Sequence, residues 1–115
     1  MRLLGTLVLL PTLSLVACRS PYVETTVSNR TSRPIELIEV DYPSASFGTQ
    51  SLAPGADFHY RFKVLGEGKM KLIYTDAARN ELKSEGPFLN EGDEGPVIIT
   101  IATDGTHWQN NTVRH

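Results

Sequence analysis

Residues 57–64 alternate without a break. Phe58, Tyr60, Phe62 and Val64 are apolar, and Asp57, His59, Arg61 and Lys63 stand between them. A period of two places the apolar set on one face of an extended strand and the polar set on the other. Gly66-Glu67-Gly68 follows and reads as a hairpin turn. The return run points Met70, Leu72 and Tyr74 inward and Lys69, Lys71, Ile73 and Thr75 outward. No amphipathic helix is available to cover such a face, so it must be buried against other strands.

The rest of the chain after residue 21 repeats the theme. Val23, Thr25 and Val27 alternate with Glu24 and Thr26, and Asn29 to Ser32 reads as a turn. In Pro34–Tyr42 the phase changes: Ile35 and Leu37 share one face, while Ile38, Val40 and Tyr42 share the other. Either a β-bulge near Leu37-Ile38 keeps both sets inside, or the strand is buried on both faces there. Residues 42–50 are rich in small and turn residues, with Phe47 as anchor. Asp76–Asn80 predicts a turn into a weak strand at 81–85, residues 89–96 an acidic surface loop, and Pro96–Thr103 a strong strand with Val97, Ile99 and Ile101 on one face. Asp104-Gly105 reads as a tight turn, His107-Trp108 as a further short strand, and Asn110–His115 as a frayed polar tail.

About seven strands in so short a chain predict an all-β fold, a small antiparallel β-sandwich of the immunoglobulin-like kind. Leu52-Ala53-Pro54-Gly55-Ala56-Asp57-Phe58 resembles the Leu-x-Pro-Gly turn that precedes a strand in bacterial immunoglobulin-like and fibronectin-type domains. That resemblance implies a binding or scaffolding role and no particular ligand.

The first seventeen residues are of another kind. Arg2 is their only charge, and an apolar run from Leu3 to Val16 is interrupted by Gly5 and Pro11. A basic start, an apolar middle and a small-residue exit describe a secretory leader, and the run is shorter than the roughly 20 apolar residues that cross a bilayer. Leu15-Val16-Ala17-Cys18 resembles the lipobox of bacterial lipoproteins. The resemblance implies cleavage before Cys18, a diacylglycerol thioether on its sulfur and acylation, as by palmitate, of its new amino group. Arg19 stands where Asp resembles an inner-membrane retention mark, which implies the outer membrane of the cell envelope. The expected organisation is a signal peptide at 1–17, a lipidated cysteine and tether at 18–21, a β-sandwich at 22–109 and a tail at 110–115.

Loss of residues 1–17 leaves 98, enough for one small domain. That part holds 13 acidic and 10 basic residues, a formal charge of −3. So mild an acidic surface offers no basic field for nucleic acid. Cys18 is the only cysteine, so the folded domain has no disulfide, no thiol nucleophile and no thiolate metal ligand.

Chemistry-bearing patterns are sparse. His59, His107 and His115 show no metal-ligand spacing, and residues 90–95 carry the oxygen ligands of a calcium loop without its order. No Gly-x-Ser-x-Gly elbow and no phosphate-binding glycine loop occurs. The sequence therefore assigns no catalytic residue, no metal ligand and no cofactor. Two surface features remain as binding candidates. Arg61 and Lys63, with Lys69 and Lys71 on the expected hairpin partner, would form a basic face for an anionic polysaccharide or acidic envelope protein, unless Glu36, Glu39 and Asp41 neutralise it. Trp108 would stack on a ligand if exposed, or cover core or edge if packed. Asn29-Arg30-Thr31 and Asn110-Asn111-Thr112 match the glycosylation pattern by accident of composition. The expectation is a non-enzymatic, membrane-anchored binding or scaffolding module. The alternatives are a small periplasmic hydrolase or metal-binding enzyme, and a passive surface structural protein.

Overall fold

The computed structural model describes residues 21–114. They form eight strands: β1 (Val23–Asn29), β2 (Ile35–Tyr42), β3 (Ala45–Leu52), β4 (Asp57–Phe62), β5 (Gly68–Thr75), β6 (Glu81–Leu89), β7 (Gly95–Ala102) and β8 (Gly105–Asn110). Two four-stranded sheets, ordered β4-β1-β7-β8 and β3-β2-β5-β6, pack face to face. The chain is the small β-sandwich that its alternation demanded. Five of the six strand pairings are antiparallel, and β1 lies parallel to β7. The strand order differs from that of a constant-type immunoglobulin domain, where the first, second, fourth and fifth strands share a sheet.

The core lies wholly between Val23 and Ile101, with Met70, Leu72, Leu89, Val97 and Ile99 completely enclosed. All eight strands and the core therefore belong to residues 23–110. Each open side of the sandwich is closed by aromatic rings. Between β3 and β4, Phe47 stacks on Tyr60 at 4.3 Å, and beside them Tyr42, at the end of β2, stacks on Phe62 of β4 at 3.8 Å. Between β6 and β8, Trp108 lies over Gly86 and donates its indole N–H to Ser84 Oγ at 2.9 Å. A Cβ at Gly86 would overlap the Trp108 ring carbons, so this glycine makes room for the indole.

The phase change in β2 is a bulge. Ile35, Ile38 and Val40 are all buried, while Leu37 is exposed at a φ of 50°. The register with β5 slips between Glu36 and Glu39, yet the register with β3 runs unbroken. The neighbouring β3 changes phase as well, burying Phe47 and then Leu52. Gly48 permits this close passage, because a Cβ there would strike the carbonyl oxygen of Ile38.

Several sequence expectations need correction. Gly66-Glu67-Gly68 is a crossover between sheets, because β4 pairs with β1 while β5 pairs with β2 and β6. Glycine marked the change of direction correctly but carried no information on which strand comes next. Residues 45–52 form a strand, and their small side chains suit an edge beside a bulged partner. The weak strand at 81–85 continues to Leu89, which is buried. Asn110 belongs to β8, and the residues after it are held: Asn111 donates to Pro96 O, and Val113 exchanges two hydrogen bonds with Glu94.

Candidate functional site

The strand directions give the sandwich two dissimilar ends. At one end lie the β1–β2, β3–β4, β5–β6 and β7–β8 turns. At the other lie Tyr22, the β2–β3 turn, the β4–β5 crossover and the β6–β7 loop. The first end carries an open groove of 460 Å³, floored by Ile35, Tyr74, Leu82 and Ile101. Three turns wall it: residues 31–34, 76–78 and 103–105.

One buried side chain shapes the first wall. Asn29 is fully enclosed, and its Nδ2 donates to Arg33 O and to Leu52 O, both at 2.9 Å. Its Oδ1 accepts from Thr31 N at 2.9 Å and from Thr31 Oγ1 at 2.7 Å. Its backbone exchanges bonds with Ala56 O and Gly55 N. A buried amide can remain in an apolar interior only when its donors and acceptors are paired, and here the pairing binds three chain segments together. Asn29 cannot be a glycosylation acceptor in the folded chain, since both amide hydrogens are engaged inside. Only a turn signal is legible at this position; the buried hub was invisible because Leu52 and Ala56 are distant in the chain.

The second wall is set by Asp76, whose Oδ1 accepts from Ala78 N and Asn80 N at 2.9 Å and leaves Arg79 at a φ of 68°. In the third wall, Asp104 accepts from His107 at 2.8 Å; that hydrogen bond first, and the attraction of the ring second, holds the Asp104 carboxyl below its ordinary range. Just outside the groove, Asp57 is likewise depressed, first by the hydroxyl of Ser28 at 2.7 Å and then by Arg30 at 3.1 Å. Arg33 stands exposed on the rim. The arrangement offers an apolar floor under a polar rim, which is the chemistry of recognition. No nucleophile and base are brought together in it.

The residues singled out in the sequence are scattered. Arg61 and Lys63 do not share a face with Lys69 and Lys71, because their strands sit in different sheets. Arg61 instead covers the Tyr22 ring at 3.9 Å, with Lys63 at 5.7 Å. Lys69 pairs with Glu85 at 3.3 Å, and Lys71 sits beside Asp41 on β2 and Glu85 on β6. The outer face of this sheet is thus a mixed-charge, solvated surface. Trp108 is the packed, edge-covering tryptophan described above. His59 meets Thr26 Oγ1 at 3.0 Å on β1, far along the sheet from the Asp104–His107 pair. Among the described residues, no group of three or more His, Cys, Asp or Glu side chains converges as a metal site. Cys18 lies outside the described residues.

No family model matches the chain, and no curated protein matches it. Its fold is similar to that of a protein from Eubacterium rectale solved by NMR, with a TM-score of 0.57 and 12% sequence identity, covering 80% of this chain and 90% of that one. That likeness concerns the fold alone.

Proposed function

We propose that this protein is a membrane-anchored, non-enzymatic binding module of the bacterial envelope. Lipid on Cys18 holds one end of the sandwich at the leaflet, and the groove at the opposite end takes an envelope protein or polysaccharide. The observation that carries this reading is the polarity of the fold. Four residue steps separate Cys18 from Tyr22, so the chain can reach only about 14 Å at full extension. Tyr22 opens β1 at the end remote from the groove, its carbonyl accepting from Gly95 N at 3.0 Å. An anchor at Cys18 therefore presents the groove away from the membrane.

Two or more acyl chains hold a protein stably where one gives only reversible binding. The lipobox resemblance implies that number. The absence of a helix long and apolar enough to cross a membrane among the described residues is compatible with such an anchor.

Two experiments test the proposal. Cys18→Ser should release the protein from membrane fractions, and retention of the variant would contradict the anchor. A photocrosslinking residue at Ala77, on the groove wall, should capture an envelope component more efficiently than one at Lys83 on the outer sheet face. Equal yields from the two positions would remove the groove as the binding surface.

A further inference from the structure

The end of the sandwich at which β1 begins presents more than an attachment point. Leu65, on the crossover, is 59% exposed; Phe88, near the end of β6, is 49% exposed; Val113, after β8, is 57% exposed. Large apolar side chains in water are individually ordinary, but a group of them at one pole is not. Their common placement is fixed by bonds across that end. Gly66 N donates to Glu91 Oε1 at 3.4 Å, Gly68 stands opposite Leu89, Val113 pairs with Glu94, and Gly95 binds Tyr22.

We propose that this pole rests directly on the phospholipid leaflet, with Leu65, Phe88 and Val113 reaching the boundary between headgroups and acyl chains. The inference deepens the reading above and rests on its anchor at Cys18. The length of chain outside the sandwich selects the occupant. Tyr22 must lie within about 14 Å of an acylated Cys18, which leaves too little space for a folded partner between this pole and the lipid. The neighbouring chemistry agrees. Arg61 and Lys63 gather over the Tyr22 ring, and basic side chains with an aromatic ring settle at headgroup level, stems in apolar surroundings and charges in water. Arg61, Lys63, Lys69 and Arg114 are outnumbered by Glu24, Glu67, Glu91, Asp93 and Glu94 at the same pole. With no net positive field to draw it to anionic lipid, the contact is apolar and suits a zwitterionic surface.

The test uses the chain from Cys18 onward, which contains every strand and the whole core. Because Cys18 is the only cysteine, it can be coupled to a maleimide-headgroup lipid in phosphatidylcholine vesicles whose acyl chains are brominated. Three variants report position: Leu65→Trp and Phe88→Trp at the lower pole, and Leu82→Trp at the groove end, with Trp108 a constant background. Coupling should shift the emission of Leu65→Trp and Phe88→Trp to the blue and quench it, in low and high salt alike, and should leave Leu82→Trp unchanged. Negligible quenching at all three positions, or quenching at Leu82→Trp alone, overturns the proposal. Quenching abolished by high salt overturns the apolar contact. The lipid here is attached chemically, so a native protein found without acyl mass would defeat the anchor reading and leave this result standing.

Discussion

Replacement of Asn29 by alanine should cost more stability than any other single polar substitution among the described residues. The variant removes four side-chain hydrogen bonds, two from Nδ2 to Arg33 O and Leu52 O and two into Oδ1 from Thr31. Each contributes about 1 kcal/mol net, and a buried group left unpaired adds its own desolvation penalty of about 1–3 kcal/mol. The Asn29–Leu52 bond is fully buried, so the orphaned Leu52 carbonyl incurs that penalty. The expected loss is about 3–5 kcal/mol, against a total stability of about 5–15 kcal/mol for domains of this size. A fall in Tm of about 12 °C or more follows from the 4–8 °C per kcal/mol typical of small domains. The chain supplies its own control. Asn110 makes the same two local bonds, accepting from Thr112 N at 3.1 Å and Thr112 Oγ1 at 2.7 Å, but is exposed and donates no bond to a distant segment. Asn110→Ala should therefore lose no more than about 1 kcal/mol. Urea titrations of both variants decide the matter. If Asn29→Ala falls within about 1 kcal/mol of Asn110→Ala, the buried amide does not tie the β1–β2 turn to the end of β3 and the reasoning fails.

Other perturbations probe the remaining elements. Gly86→Ala should displace the indole of Trp108 and cost about 1–3 kcal/mol by overpacking, with a red shift in tryptophan emission; an unchanged spectrum would refute the contact. Leu37→Gly should stabilise the domain by up to about 1 kcal/mol, because the left-handed backbone at the bulge strains a side chain that buries little. Thr25→Val removes a buried hydroxyl that has no partner in the structure and keeps its shape, so it should raise stability by about 1 kcal/mol. The carboxyls of Asp57 and Asp104 are depressed below their ordinary range. The stability they contribute is present above the unfolded carboxylate range and lost as pH falls through their folded values. Asp57→Asn should flatten that acid limb, and an identical limb in the variant would contradict the depression.

Much of this architecture could be read from residues 57–64 and 97–101, where period two is strict; burial follows it throughout 97–101, but in 57–64 only Phe62 and Val64 are buried, while Phe58 is half-buried and Tyr60, expected inward, is 40% exposed at the open β3–β4 side. Phe62, Val64, Val97, Ile99 and Ile101 are all buried as the alternation requires. The phase change at Leu37-Ile38 was also legible, but not its form: a bulge and a strand buried on both faces fit the sequence equally, and the structure shows the bulge, with Leu37 turned outward. What escaped was pairing. Gly66–Gly68 looks the same whether the chain folds back on its own sheet or crosses to the other, and the error joined Arg61 and Lys63 to Lys69 and Lys71 in a basic face that does not exist. The groove had no sequence signal, because turns at 31–34, 76–78 and 103–105 meet only through the topology. Asn29 was concealed by the opposite problem: Asn-Arg-Thr reads as an exposed turn, and its burial depends on Leu52 and Ala56 arriving from β3 and the turn beyond it.

The most direct test of the proposed anchor is the intact mass of the protein produced from Met1 onward in a bacterium, measured beside Cys18→Ser together with membrane fractionation. The expected wild-type result is a chain beginning at Cys18 with added acyl mass on that residue, found in the membrane fraction, while the variant is unacylated and soluble. A wild-type chain that is soluble and carries an unmodified Cys18 would contradict the anchor, and with it the outward orientation of the groove.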